Sequence, residues 1–555
     1  MSDWIAGLTR RRFLSNLAIL GAAPVWTRLD ALAWQTTPPS FSGENFELAH
    51  KLLFDPAETI RAGGAPQVHA DLQDVLVVGA GIAGLTVAWK LRDRKVLLLE
   101  AAPEVGGVSK SEAWQGIEYA TGAAYIIDPD PESEDARELA GFALLEELGL
   151  RKKGEDLSKD RSLQRRLSGD PNHCVFSNRR VIPESEVYSA RNRRFFEHVL
   201  DSDAYPSVPP EDPALVEALD RVSFRAFLEN AALQRKVYGQ TVGTIRPLGW
   251  EAIEYYCWGA FGTTARETSA YHGLNFFAAE FGDVLVFPGG NGFITRRLGE
   301  RIRQAKAQAI RTGAWTLRIE RDGEAYAVTT WEDGRLHRHR ARSIVVATPL
   351  FLVPRLIPSL PEAQRQAIAS LAYRSYVVAN VLLQRPANRI FASPSFRNGY
   401  ELTRVHGIDV AKVPAEEISN RKVYSDAILA DFAAGRHPTH AVLTVYRPYP
   451  YESGRARLLE LSFDDMAAEI RREVLAGFGP HGLQPDDIAG MRIARWGHPM
   501  IVTRPGQLAD GTLSAAARPG AGLFFAHTDV QGAPAYENAL AAAFDAVEAV
   551  TKYLS

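Results

Sequence analysis

Cysteine is almost missing from this chain: Cys174 and Cys257 are the only two among 555 residues, and they stand in no metal-ligand spacing. A disulfide framework and a cysteine-built zinc site are excluded, and one bridge between the two remains as the open alternative. A dominant charge is missing too. Lys and Arg number 63 against 66 Asp and Glu, a formal net charge of −3, so the balance selects neither nucleic acid nor an anionic membrane surface. Beyond the N-terminal region no apolar run approaches the ~20 residues of a spanning helix, and no repeat or low-complexity tract is present. What is there, 46% apolar and 23% charged residues in a chain too long for one core, describes a soluble globular protein of two or more lobes. Its expected partner is a small molecule.

The first residues are set apart. Thr9-Arg10-Arg11-Arg12-Phe13-Leu14 precedes the mostly apolar Ala18 to Trp26 and the small residues Ala31-Leu32-Ala33, the order of basic, apolar and cleavage regions in an export signal. Ser15 and Asn16 break the apolar stretch, which is short for a membrane anchor. The arginine pair before Phe-Leu resembles a twin-arginine signal, used for proteins that fold before crossing the bacterial membrane. That resemblance implies cleavage after residues 1–33, delivery by the twin-arginine translocation machinery, a periplasmic location and no stable membrane span afterwards.

Residues 34–73, rich in Pro, Gly, Ser and Thr with a helical patch around Phe46 to Phe54, read as a leader wrapping the first domain. Val75-Leu76-Val77-Val78 then reads as a strand buried on both faces of a parallel sheet. Gly79-Ala80-Gly81-Ile82-Ala83-Gly84 turns it into a helix carrying Leu85, Ala88 and Leu91, and Val96 to Leu99 returns as a second strand ending on Glu100. Regular α/β patterning resumes at 287–349, with a helix over Gly292 to Ile302 and a meander whose turns are Asp322-Gly323 and Asp333-Gly334. The run Arg335 to Arg342, with His337 and His339 alternating, reads as its solvated face. The expected fold is α/β: a Rossmann-type nucleotide-binding domain in three segments, 74–130, 283–349 and 491–555, with an α+β substrate domain inserted as 131–282 and 350–490. Ligands bind in clefts between such domains.

Each glycine of the fingerprint has a task. Gly79 permits the tight turn, Gly81 lets backbone approach a pyrophosphate, Gly84 allows close helix packing, and the helix start at Ile82 and Ala83 stabilises phosphate charge. Glu100 is placed to accept hydrogen bonds from ribose hydroxyls. These residues do not separate NAD from FAD. The segment Glu100-Ala101-Ala102-Pro103-Glu104-Val105-Gly106-Gly107 does, because it resembles the flavin amine oxidase superfamily, which includes protoporphyrinogen oxidases and carotenoid desaturases. The likeness recurs in family order at Tyr119 to Ala124, Phe287 to Gly292, Arg311 to Trp315, Ala347-Thr348-Pro349, Arg495-Trp496 and Phe524 to Leu540. It implies bound FAD, with Gly106 and Gly107 against its phosphates and ribityl chain, backbone near Trp315 at the adenine, Asp529 on the ribityl chain, and the Tyr536 and Glu537 amides at the flavin O2 edge.

The sequence departs from that pattern in four places. Val108 replaces an Arg after the Gly pair, with Lys110 placed to substitute; His527 replaces a Gly. Ala535 stands where one ring of an amine-holding aromatic cage is usual, and Tyr376 to Val381 contains no Lys in the register of the family's flavin N5 lysine. Trp496 and His498 are the expected catalytic-site side chains, with His272 a weaker one, and no metal is expected. The leading functional reading is an exported oxidoreductase that oxidises a C–N bond by hydride transfer to flavin. Its alternatives are C–C dehydrogenation of the porphyrinogen or carotenoid type, or flavin binding without turnover.

Overall fold

The computed structural model describes residues 41–133, 136–157, 166–168, 172–281, 284–421 and 424–555; the export signal of 1–33 lies outside them. Val75, Leu76, Val77 and Val78 end a strand, Gln67–Val78, at the centre of a seven-stranded sheet. On one side it pairs in parallel with Val96–Leu99, and beyond that lies Ile310–Arg311. On its other side runs Arg335–Val346, also parallel, which pairs in turn with Leu523–Phe525. The strands Trp315–Asp322, Ala325–Glu332 and Arg335–Val346 form the expected meander. The fully apolar strands are buried on both faces: the helices Ile82–Lys90, Gly292–Ala305 and Tyr536–Leu554 cover one, and Leu350 to Leu371 with Leu513 and Ala516 cover the other.

A second sheet has eight strands in the order Phe41–Gly43, Ile488–Ile501, Tyr373–Leu383, Ala441–Tyr449, Asp426–Leu429, Glu401–Arg404, His173–Phe176 and Val181–Ile182. Its strands alternate between faces. Val377, Ala379, Val381, Leu443 and Val445 join Phe176 and Phe478 in one core, whereas Tyr376, Val378, Ala494 and Trp496 face the other way. That inner face meets residues 119–125: Asn380 Nδ2 donates to the Ala120 carbonyl, Trp496 Nε1 to Thr121 and the Tyr446 hydroxyl to Gly122.

Two expectations need correction. The ends of the leader are strands, one in each sheet: Phe41–Gly43 edges the eight-stranded sheet in parallel with Ile493 to Arg495, and Gln67 begins the central strand of the other. Between them the helices Phe46–Leu53 and Pro56–Gly63 rest Leu52 and Ile60 on Leu317, Trp315 and Leu336 of the meander. Nor is Arg335 to Arg342 a solvated face throughout. The early part of Gln67–Val78 pairs along it, burying Leu336, His337 and His339 while the arginines point outward. His339 Nε2 lies 2.8 Å from Glu332 Oε1, and His69 stacks on His339. Cys174 and Cys257 are both free and buried, so they form no bridge.

Candidate active site

The strand–glycine–helix junction forms a concave cradle lined by backbone. Gly79 has φ +102°, and a side chain there would come 2.6 Å from the Ala347 carbonyl oxygen. One on Gly84 would come 1.9 Å from the Gly79 oxygen, so helix and strand meet this closely only with glycine at 84. Gly106 and Gly107, at φ +127° and +59°, bring the second glycine motif onto the first: Gly106 N donates to the Ala80 carbonyl at 2.7 Å, and a Cβ on Gly107 would stand 3.1 Å from Gly81 Cα. The helix beginning at Ile82 and Ala83 has Gly81 as its N-cap with no side chain satisfying its first amides. Unmet N–H groups above a floor without side chains are what a pyrophosphate requires.

Glu100 sits beside this cradle. Its Oε2 accepts from Ala80 N at 2.7 Å and its Oε1 from Ala102 N at 2.8 Å, which aims the carboxylate along the mouth of the loop. Ala314 N donates to the Glu100 carbonyl and Gly313 N to that of Ala102, so Trp315 begins its strand next to Glu100. Lys110 lies half-buried just past the Gly pair, its Cγ 2.9 Å from where a Gly106 side chain would begin. Thr121 N bonds the Lys110 carbonyl and Thr121 O accepts from Trp496, so the cradle is linked through two residues to the strand Ile488–Ile501, the wall strand of the site.

Asp529 joins three segments of the chain. It is 1% exposed, its Oδ2 accepts from Leu350 N at 2.8 Å and from the Tyr373 hydroxyl at 2.7 Å, and its Oδ1 lies 3.1 Å from His527 Nδ1. Burial alone would raise its pKa; His527, Tyr373 and the Leu350 amide together hold it below the usual value. The carboxylate thus ties the loop after Val346, the Tyr373 strand and residues 527–531 together, where His527, Thr528 and Val530 are half-buried. The helix Tyr536–Leu554 starts at Ala535 without a side-chain cap, a second set of open amides. Glu537 Oε1 accepts from Ile127 N at 2.8 Å, and burial raises its pKa.

His498 and Trp496 fall on the same strand but in different surroundings. Trp496 is buried on the inner face. His498 stacks on Phe351, ring centroids 4.3 Å apart, and burial with Arg455 and His50 nearby pulls its pKa to about 4, leaving a neutral imidazole of weak basicity. His272 is buried, with Nε2 3.0 Å from the Gln531 carbonyl, a support of the 527–532 loop.

Sequence reasoning missed a second group. On Glu280, Oε1 accepts from the hydroxyls of both Tyr125 and Tyr256 at 3.2 Å. Glu401 and Asp426 stand on adjacent strands, and Asp426 pairs across with Tyr446. Burial is the first cause raising the carboxyl pKa values of Glu280, Glu401 and Asp426, and repulsion from Glu401 adds to it for Glu280 and Asp426. None of the three forms an ion pair among the described residues, and each keeps part of its surface. Tyr376, Tyr400, Tyr446 and Tyr125 surround them, every hydroxyl pKa raised by burial. No motif marks these residues; only the alternation of the inner-face strands hints at them.

Comparison with known proteins settles the family. The model for flavin-containing amine oxidoreductases matches residues 82–551. The chain belongs to that family. It is 22% identical over 540 residues to the oxidoreductase PigB of Serratia sp. (strain ATCC 39006), covering 87% of this chain and 76% of that protein. Among solved structures it shares its fold with a putrescine oxidase redesigned at its cofactor site (TM-score 0.61, 16% identity, 88% of this chain and all of the other). It also resembles the cyclohexylamine oxidase of Brevibacterium oxydans IH-35A (TM-score 0.56, 18% identity, 87% of this chain and 99% of the other). The chain is therefore an FAD-dependent oxidoreductase with a Rossmann-type cofactor domain, and the uncapped helix starts and glycine floor described above fit that cofactor.

Proposed function

We propose that this enzyme oxidises the C–N bond of an amine and that it does so in the periplasm. The single observation behind the amine reading is the cluster of Glu280, Glu401 and Asp426 with Tyr125, Tyr256, Tyr376 and Tyr446. Carboxyl groups with raised pKa values and no ion pair among the described residues ionise readily once a cation arrives, so an ammonium group is the ligand they favour. Glu280, hydrogen-bonded by two tyrosines, is then the group to hold or take up the ammonium proton, because amine oxidation requires the neutral nitrogen. The putrescine and cyclohexylamine oxidases that share the fold act on amines by name, in support of this reading.

When bound, FAD supplies the hydride acceptor. The residues of this chain orient the substrate carbon and exclude water: Trp496 as a fixed wall, and His498 as a neutral ring beside Phe351. Export rests on the arginine pair at Arg11-Arg12 and the apolar stretch that follows it.

Ala535 and the lysine-free Tyr376 to Val381 segment favour the second reading, dehydrogenation of a C–C bond. Anaerobic mixing of the yellow holoenzyme with panels of amines, porphyrinogens and polyenes decides between them. Bleaching of the flavin by amines alone supports the proposal; bleaching by porphyrinogens or polyenes alone overturns it.

A further inference from the structure

Glu44 lies outside the residues matched by the family model, which begin at 82, yet it reaches the wall of the site. Phe41, Ser42 and Gly43 pair in parallel with Ile493, Ala494 and Arg495, and Glu44 N donates to the Arg495 carbonyl at 3.0 Å. Gly43, at φ +90°, is pressed so close to Arg495 that a Cβ would stand 2.5 Å from its carbonyl oxygen. The main chain then turns away into the Phe46–Leu53 helix. The next outward-facing amide of the wall strand, Gly497 N, would be left without a partner; instead it donates to Glu44 Oε2 at 2.8 Å. A side chain at 497 would come 3.1 Å from that same oxygen, so the glycine makes room for the carboxyl.

Gly497 stands between Trp496 and His498. Trp496 is tied through Thr121 to the Lys110 backbone beside the Gly pair, and the Lys110 ammonium is the cation whose field reaches Glu44. We propose that Glu44, supplied by the segment preceding the family domain, is a positioning residue that fixes the Trp496 wall and balances the Lys110 charge beside the flavin cradle. The proposal rests on the bound flavin and not on which substrate is oxidised.

Burial pushes the Glu44 carboxyl up to about 7, against the Gly497 amide and Lys110, which lower it. Other charged or titratable groups on the adjoining elements are Arg492, Arg495 and His498 on the wall strand and Glu47, His50 and Lys51 on the following helix. Ionised Glu44 offsets Lys110 and disfavours negative charge on the reduced ring, so reduction raises its pKa and the flavin potential should show an extra fall in a window around pH 7.

The test uses the FAD-loaded full-length protein, with the midpoint potential titrated from pH 5.5 to 8.5 and FAD affinity read by flavin fluorescence. Glu44→Gln retains an acceptor for Gly497 N and cannot ionise: FAD affinity within about twofold of the parent, with the extra slope near pH 7 gone, is the expected result. Glu44→Ala removes the acceptor as well and should weaken FAD binding by about three- to tenfold. An unchanged potential–pH curve in Glu44→Gln overturns the charge role even if Glu44→Ala fails to fold. FAD affinity unchanged in Glu44→Ala overturns the positioning role. Because neither readout needs a substrate, loss of the amine reading would leave both intact.

Discussion

Tyr373 and Asp529, 156 positions apart in the chain, are joined by a 2.7 Å hydrogen bond from phenol to buried carboxylate. The bond closes the loop after Val346 onto the wall sheet, and the same oxygen receives Leu350 N. Asp529→Ala orphans both donors and should cost about 1–3 kcal/mol for each, seen as a lower thermal midpoint and weaker FAD retention. Since the folded-state pKa of Asp529 is depressed below 3.8, its stabilisation is present above that value and lost as pH falls further. The deficit of Asp529→Asn should therefore shrink in midpoints measured below pH 3.8 and be full at neutral pH.

Gly84→Ala places a methyl carbon 1.9 Å from the Gly79 oxygen, a contact that only backbone displacement relieves. The purified variant should be colourless or nearly so while keeping most of its far-ultraviolet dichroism. A full complement of flavin would show that the junction is looser than its geometry states.

Glu280→Gln keeps the size of the side chain and its capacity to accept from Tyr125 and Tyr256 but not its titration. The folded carboxyl has a raised pKa, so the folded state binds more protons than the unfolded one as pH rises past 4.5, and the parent loses stability there. The variant should lose less between pH 5 and 8 in parallel thermal melts. With an amine that bleaches the parent flavin, its kcat/KM should drop by about ten- to a hundredfold, as expected for removal of one member of a close charge pair.

Replacing Arg11 and Arg12 by lysine should hold a reporter fused to residues 1–33 in the cytoplasm, whereas the natural sequence releases it to the periplasm. Fractionation of cells carrying both fusions decides the matter, and equal export of the two would remove the twin-arginine reading.

Legibility in the sequence followed the range of the forces involved. Val75 to Gly84, Val96 to Glu100 and the Asp322-Gly323 and Asp333-Gly334 turns are defined by neighbours in the chain, and they stand in the structure where the pattern puts them. The Phe41–Gly43 strand was hidden because parallel pairing with Ile493 to Arg495 leaves no local mark. His337 and His339 looked solvated because the strand that buries them comes from residues 67–73. Glu280, Glu401 and Asp426 read as ordinary charges until three separate elements bring them together. The bonds from Leu350 N and the Tyr373 hydroxyl to Asp529 join segments far apart in the chain, so no local pattern marks them.

The parallel ladder that runs Val96–Leu99, Gln67–Val78, Arg335–Val346, Leu523–Phe525 draws on chain segments that leave the ribosome at widely separated times. Its last strand and the helix Tyr536–Leu554 are synthesised after every other strand of the ladder. A nascent chain threaded across a membrane as it emerges would thus reach the far side before its cofactor cradle existed. Loading must await the Leu523–Phe525 strand, and a stop shortly before residue 523 should yield a protein without that strand and without its colour.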